Sequence, residues 1–177
     1  SAMLLLAKHE VDAVIFASRH GELERNFRIL SDLAKQAAPS PTDFTMSVHN
    51  AAVGSFTIAT KKPLVASSIA AGEDTFQQAL FEAQSFFAAG YNRVLLVDFD
   101  GAVPDFYRPY LAANEPCYPW ALALLLEAGN EVSCSGQELH GAALELPQAL
   151  QFLRGWLSGQ PTFSVSSTSR TWKWNRT

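Results

Sequence analysis

Hydrophobic positions along the chain alternate between short apolar runs and runs with helical spacing. Residues 12–18 form a mostly apolar run of the length of a buried strand. In residues 22–36 the apolar side chains recur every three or four positions, which predicts a helix. Residues 39–42 form a turn that is expected to cap a second helix. Its expected buried stripe is Phe44, Val48, Ala51, Ala52, Ser55 and Ile58, with close packing at the small residues.

The middle of the chain repeats the strand and helix pattern. Residues 64–69 are a candidate second strand, and residues 74–89 are a candidate helix that ends before Gly90. Residues 93–99 are then expected to form a central strand. This strand, helix, strand order predicts a right-handed crossover between parallel strands. The expected buried stripe of the helix is Phe76, Ala79, Leu80, Ala83 and Phe87.

The last third of the chain is less regular. Residues 104–119 are rich in proline and aromatic residues and are expected to form a loop. Because no linker interrupts the pattern, we expect a single domain over residues 1–177. The remaining elements are predicted as strands over residues 120–127 and 131–137, a helix over residues 146–157, and an edge strand in the alternating tail through Trp172 and Trp174.

Composition narrows the functional classes. With 48% hydrophobic and 17% charged residues, the chain can bury a full core, which argues against disorder. The net charge of -4 and the scattered basic residues provide no positive block for a phosphate backbone, so nucleic-acid binding is not expected. The longest apolar runs fall far short of the ~20 residues that cross a bilayer, so no membrane span is expected.

The cysteines and the first residues suggest where the protein works. Cys117 and Cys134 have neither metal-motif spacing nor the density of a disulfide scaffold. We therefore expect free thiols and a cytoplasmic protein. The apolar run at residues 3–7 is too short for a secretory signal. Ser1 and Ala2 are typical of an expression remnant, which leaves open a natural start upstream.

A pair of carboxylates stands where residues 64–69 lead into the next helix. Glu73 and Asp74 occupy the first turn of that helix. Unpaired amides and the helix dipole stabilise negative charge there, which is why such a place suits a reactive thiolate. The same field favours a carboxylate that is a weak proton donor and a weak nucleophile. The pattern therefore predicts a fixed anion at this place.

Three segments resemble one protein family. They are residues 47–54 (SVHNAAVG), 70–76 (AAGEDTF) and 93–97 (RVLLV). They resemble the N-terminal half of β-ketoacyl synthases, and most closely the short chain-length-factor-like proteins of aryl polyene pathways. The resemblance implies an α/β fold: a thiolase-like half with a mixed, mostly parallel sheet flanked by helices.

The resemblance also locates the site of the family's chemistry. Family members carry an Asn-x-x-x-Gly helix and then an Ala-Cys-Ser/Thr-Ser-Gly segment whose cysteine holds the acyl chain. Counting forward from Asn50 and Gly54, and backward from Gly90, places Glu73 at the cysteine position. The family's His-Gly-Thr segment is also unmatched, because His140 and the glycine after it are followed by alanines.

These departures imply a non-catalytic subunit that pairs with a catalytic β-ketoacyl synthase. It would shape the pocket in which a polyene or polyketide chain grows, and would meet acyl carrier protein indirectly. The isolated chain could form a homodimer, and no cofactor or metal is implied. Residues 93–99 would lie at the partner contact and residues 47–54 near the acyl pocket, while residues 76–87 set tunnel depth or fill the core. The pocket or interface candidates are His49, Asn50, Gly54, Asp74, Arg93 and Phe99.

Two rival functions remain open. In the first, Glu73 and Asp74 help a degenerate synthase to decarboxylate a malonyl thioester, with His49 and His140 as candidate polar partners. A lone histidine among small residues is more often a packing residue. In the second, the chain is a self-associating scaffold without a catalytic partner.

Other polar and aromatic side chains are assigned to structure. Ser67, Ser68 and Ser133 lack a Gly-x-Ser-x-Gly elbow, which argues against a serine hydrolase. Cys117 is interpreted as a small buried side chain. Two groups could meet a metal ion but are expected to face solvent, namely His20, Glu22 and Glu24, and Asp98, Asp100 and Asp105. The aromatic residues that form either an interface patch or a cover for the sheet edge are Phe106, Tyr107, Tyr110, Tyr118 and Trp120.

Overall fold

The computed structural model describes residues 2–112, 115–138 and 146–177. The helices are α1 (Ala2–Lys8), α2 (Leu23–Ala34), α3 (Pro41–Thr45), α4 (Ala51–Thr60), α5 (Thr75–Ala88) and α6 (Gln148–Leu157). The strands are β1 (Ala13–Ala17), β2 (Val65–Ile69), β3 (Arg93–Asp100), β4 (Trp120–Glu127), β5 (Val132–Glu138), β6 (Thr162–Ser166) and β7 (Arg170–Arg176). A 3₁₀ turn, Gly72–Asp74, precedes α5, and a second one, Asp105–Tyr110, lies in the predicted loop.

The larger sheet has four strands in the order β2-β1-β3-β4. β1 is parallel to β2 and to β3, and β4 is antiparallel to β3. Every residue of β1 is buried, as is typical of parallel strands that are covered on both faces. α5 and α6 pack on one face, and α1 and α4 pack on the other. The expected mixed, mostly parallel sheet flanked by helices is confirmed, with β1 inserted between β2 and β3.

α5 follows its sequence pattern closely. Phe76, Ala79 and Ala83 are buried against the sheet, so this part of the predicted stripe fills the core. Burial of one phenylalanine side chain stabilises a fold by about 1.5–3 kcal/mol. Gly90 follows the helix with a φ of +94°, a conformation that glycine adopts without strain. The predicted helix and its glycine end are therefore confirmed.

The single helix predicted after residue 39 is instead two helices, α3 and α4. The turn between them is held to the large sheet by the His49 ring. Its Nδ1 lies 2.8 Å from Ser68 Oγ on β2, and its Nε2 lies 3.0 Å from the carbonyl oxygen of Ser18, just after β1. These contacts hold the chain in a turn at a place where helical spacing alone predicts one continuous helix.

The break also changes which face of the segment is buried. Val53 and Phe56 of α4 pack against the sheet. The predicted stripe was right at Ala51, which is buried, but wrong at its three large side chains, which are exposed, namely Phe44, Val48 and Ile58. These three exposed side chains lie on α3, in the turn after it and on α4.

A second, antiparallel sheet of three strands has the order β5-β7-β6. The tail was predicted to be an edge strand, but β7 is the central strand of this sheet. The predicted alternation of buried and exposed side chains is present in β7, because Trp172 and Trp174 are buried and Lys173 between them is exposed. Alternation shows which side chains point inward but not how many neighbours a strand has, so β6 was not predicted.

No helix within the described residues has the length and apolar character needed to cross a membrane.

Candidate functional site

The junction between β2 and α5 is a tightly built turn. Gly72 has a φ of +60°, which directs the chain into the 3₁₀ turn. The Thr75 hydroxyl accepts a hydrogen bond from the Ala71 amide at 3.0 Å and donates one to the Gly72 carbonyl at 2.7 Å. We call the resulting segment, residues 71–75, the α5 tip. Both hydrogen bonds lie within the tip itself and hold its shape.

The Glu73 carboxylate is bound by the turn between β6 and β7. Its Oε2 accepts hydrogen bonds from the Thr168 main-chain amide at 2.8 Å and from the Thr168 hydroxyl at 2.5 Å. Both hydrogen bonds are exposed to water, so we expect them to contribute only about 1 kcal/mol together. Glu73 therefore anchors a hairpin turn, which agrees with its interpretation as a fixed anion.

The neighbouring Asp74 carboxylate joins three elements. Its Oδ1 accepts a hydrogen bond from Gln148 Nε2 of α6 at 2.8 Å and one from Trp172 Nε1 of β7 at 3.1 Å. Neither partner was predicted, because each lies more than seventy residues further along the chain. Both carboxylates of the α5 tip are thus hydrogen-bonded to parts of the same chain.

His49 does not point its ring nitrogens at the α5 tip. The Ser18 carbonyl can only accept a hydrogen bond, so the Nε2 atom beside it carries the proton, and Nδ1 accepts from the Ser68 hydroxyl. Both nitrogens are used to hold the turn before α4. The interpretation of His49 as a packing residue agrees with this geometry, and His140 lies outside the described residues.

Asn50 and Gly54 lie at the start of α4. Asn50 is exposed and its side chain makes no capping hydrogen bond. A Cβ added at Gly54 would meet no atom within 4 Å, so the close packing expected there is wrong. Both residues remain pocket or interface candidates, since neither is committed to the core.

Arg93 and Phe99 lie near the two ends of β3. Arg93 Nε binds Glu127 Oε1 of β4 at 2.7 Å, and the Phe99 ring packs edge-on against Phe16. β3 is paired on both sides, by β1 and by β4, so its main-chain groups are already used. The expected contact with a partner through residues 93–99 therefore cannot be an edge-to-edge strand pairing. The strand next to β1 with a free edge is β2.

Two carboxylates expected to face solvent are instead buried. Asp98 is 3% exposed and Asp100 is 9% exposed. Asp100 Oδ1 accepts hydrogen bonds from the Ser18 hydroxyl at 2.7 Å and from the His20 amide at 2.9 Å. Burial, with a further contribution from Asp100, raises the pKa of Asp98 well above its ordinary value. A usable signal was present in the sequence, since Asp98 directly follows the apolar run of residues 94–97.

Among the described residues, no three His, Cys, Asp or Glu side chains are arranged to hold a metal ion. Cys117 and Cys134 are free thiols, as predicted. Burial raises the pKa of the Cys134 thiol to about 11, so it is a poor nucleophile at neutral pH. Phe106 and Tyr107 pack on Phe27 of α2.

Comparison with known proteins identifies the family of this chain. A model described as the N-terminal domain of β-ketoacyl synthases matches residues 1–175. The chain belongs to the β-ketoacyl synthase N-terminal domain family. No curated protein matches it.

Two solved structures of ketosynthase complexes are similar to this β-ketoacyl synthase N-terminal domain. One is the ketosynthase ApeO in complex with its chain length factor ApeC from Xenorhabdus doucetiae. The match has 52% identity and a TM-score of 0.97, over 99% of this chain and 74% of the matched chain. The other is the ishigamide ketosynthase/chain length factor, with 17% identity and a TM-score of 0.60, over 73% of this chain and 42% of that chain. At that identity the second match shows the fold alone.

Proposed function

We propose that this β-ketoacyl synthase N-terminal domain is a non-catalytic, chain-length-factor-like subunit. It pairs with a catalytic β-ketoacyl-ACP synthase and shapes the pocket in which an aryl polyene or related polyketide or fatty acyl chain grows on acyl carrier protein. The 52% identity to a chain of a ketosynthase and chain length factor complex supports this pairing. The main observation behind the proposal is that the Glu73 carboxylate is hydrogen-bonded to Thr168 of the same chain.

Glu73 stands at the position that the family resemblance gives to the acyl-carrying cysteine. Its Oε2 accepts two hydrogen bonds from Thr168, which lower its nucleophilicity. Acylation of a carboxylate would also give a mixed anhydride, which is far more labile than a thioester. The Glu73 side chain therefore has a structural role. The subunit helps to form the wall of the acyl pocket and does not bind the acyl chain covalently.

The partner surface that fits this role is the free edge of β2 together with the outer surface of α4. The Ile69 carbonyl accepts a hydrogen bond from the Ser18 amide, so Ile69 faces β1. Main-chain groups alternate along a strand, which turns those of Ala66 and Ser68 outward, where a partner strand could pair with them. α4 contacts β2, and its Ile58 is an apolar side chain that is 78% exposed.

The proposed acyl pocket lies beside this surface, at the start of α4. His49 hydrogen-bonds to Ser68 of β2, so the turn that carries Asn50 sits next to the free edge. A partner bound at β2 would therefore meet residues 47–54. The exposed Asn50 and the open space at Gly54 could then line a cavity shared by the two subunits.

The experiment is co-expression with a catalytic ketosynthase and its carrier protein. We expect a stable heterodimer on gel filtration and unchanged condensation for Glu73→Ala. Thr168→Val is the matched control, because it removes the hydroxyl half of the same contact from the other side. Any small effect should be no larger in Thr168→Val, which keeps the main-chain amide hydrogen bond, than in Glu73→Ala.

Three outcomes would contradict the proposal. Separate homo-oligomers would favour the scaffold. Release of carbon dioxide from malonyl carrier protein by the purified chain alone would favour a decarboxylase. Loss of all product in Glu73→Ala, with an intact heterodimer and an active Thr168→Val variant, would give Glu73 a chemical role.

A further inference from the structure

An open groove adjoins the end of β2, on the side of the large sheet that carries α5. Its volume is about 650 Å³. It extends from Ile69 and the α5 tip along the exposed side of α5 as far as Ser85, and Arg170 at the start of β7 also lines it. Ile69 is the last residue of β2, whose outer edge has no partner strand within the described residues. The groove is therefore continuous with the edge proposed to bind the partner.

Phe81 is the largest apolar side chain in this groove. It lies off the buried stripe of α5 and is 45% exposed. Its ring packs edge-on against Trp172 of β7, with the ring centroids 5.6 Å apart. This contact holds the ring in place while leaving much of its surface uncovered. An aromatic ring that is already held loses little conformational freedom on binding, and such rings are frequent main contacts of protein interfaces.

Glu82, the next residue of α5, ties the helix to β2. Its Oε1 accepts a hydrogen bond from the Ser67 hydroxyl at 2.9 Å. The groove also contains Asp74 and Arg170, so it has two carboxylates and one guanidinium. Asp74 already accepts two hydrogen bonds, whereas Glu82 is in no ion pair within the part of the chain that the structure describes. The groove is thus complementary in charge to a basic side chain near Glu82.

The side chains of β2 point alternately to the two faces of the large sheet. Ser67 contacts Glu82 of α5 on one face, and Ser68 contacts His49 in the turn before α4 on the other. A strand that pairs with the free edge of β2 extends the sheet, so its own side chains also alternate between the two faces. One set would then face the groove that contains Phe81, and the other set would face the turn before α4.

We propose that Phe81 is a main contact of the heterodimer, on which the strand of the catalytic synthase beside β2 places an apolar side chain, with a basic side chain next to Glu82. This inference rests on the proposed pairing with a catalytic synthase at the β2 edge. The continuity of the groove with that edge points to the same partner, and the excess of carboxylates gives the sign of its charge. The partner surface then has two sides, with α4 on one face of the sheet and α5 on the other.

The first test is calorimetric titration of variants with the catalytic synthase. Phe81→Ala should raise Kd at least about tenfold, because it removes the ring on which the partner packs. Phe106→Ala is the matched control and should bind like the wild type. The Phe106 ring is 60% exposed and also packs on another aromatic ring, but it does not line the groove.

The second variant tests the charge of the groove. Glu82→Gln keeps an oxygen that can accept from the Ser67 hydroxyl but removes the negative charge. We expect Kd to rise about threefold at low ionic strength, and the difference from the wild type to shrink in high salt. An unchanged Kd at low ionic strength would refute the basic side chain next to Glu82.

The outcomes distinguish this inference from the proposed function. A heterodimer that binds equally well with Phe81→Ala and with the wild type would overturn the inference and leave the proposed pairing intact. Absence of a heterodimer for the wild type would overturn both. Urea unfolding shows whether each variant is folded.

If Phe81→Ala does not fold, hydroxyl-radical footprinting of the wild-type chain replaces it. Slower oxidation of Phe81 in the presence of the synthase, with unchanged oxidation of Phe106, would support the inference. Equal oxidation of Phe81 with and without the synthase, in a heterodimer shown by gel filtration, would refute it.

Discussion

The α5 tip and the free edge of β2 are neighbours in sequence but use their polar groups in opposite ways. At the tip, Glu73 and Asp74 each accept two hydrogen bonds from distant parts of the same chain. At β2, only one edge is paired within the described part of the chain, and Val65 is 41% exposed. The carboxylates of the α5 tip are thus bound by the chain itself, while the outer edge of β2 has no strand beside it within the described residues.

The largest expected loss of stability comes from a substitution at Phe76, the buried residue that follows the α5 tip. Phe76 is 1% exposed at the start of α5, so Phe76→Ala should destabilise the isolated chain by about 3–5 kcal/mol. Phe44→Ala is the matched control, because that ring is 68% exposed, and it should change stability by about 0.5 kcal/mol or less. Urea unfolding of both variants measures the difference. Equal losses would mean that α5 does not pack as described.

The second effect concerns the Asp74 carboxylate. Asp74→Ala leaves Gln148 Nε2 and Trp172 Nε1 without their acceptor in a buried region, so we expect a loss of about 2–4 kcal/mol. Asp74→Asn keeps one acceptor oxygen and should lose less. Urea midpoints followed by circular dichroism report the result. An Asp74→Ala variant as stable as the wild type would show that the tip is not anchored through this residue.

The third effect appears only in the complex. Ile58→Glu places a charge on the outer surface of α4, which should weaken the heterodimer at least tenfold, or about 1.4 kcal/mol. Leu157→Glu is the control, since Leu157 on α6 is 73% exposed but far along the chain from β2. Calorimetric titration with the ketosynthase measures both. If Leu157→Glu weakens binding and Ile58→Glu does not, the partner surface lies on the other side.

The smallest effect is expected for Glu73. Thr168 is exposed, so water can replace the carboxylate when Glu73→Ala is made. We expect a loss of about 1 kcal/mol and faster hydrogen exchange of the Thr168 amide. A larger loss than that of Asp74→Ala would reverse the order of the two anchors.

Much of the large sheet was predictable because its strands are short apolar runs and its main helix has a clear stripe. The buried face of α4 was not, because the turn before it is held by His49 through contacts with β1 and β2 that helical spacing does not contain. β7 was recognised as a strand by its alternating tryptophans but placed at an edge. Strand neighbours depend on pairing, which alternation does not encode.

The candidate site was predictable in position but not in its contacts. A helix tip after a strand located Glu73 and Asp74, and their interpretation as fixed anions agrees with the hydrogen bonds observed. Their partners Thr168 and Gln148 come from the last third of the chain, so no local pattern points to them. Asp98 was placed in solvent because aspartates usually are, although the apolar run before it indicated burial.

The most direct measurement of the central claim is the intact mass of this chain after incubation with the ketosynthase and acyl-loaded carrier protein. The account predicts an unmodified mass for this chain and an acylated mass for the catalytic partner. An acyl group on this chain, removed by the Glu73→Ala substitution, would contradict it.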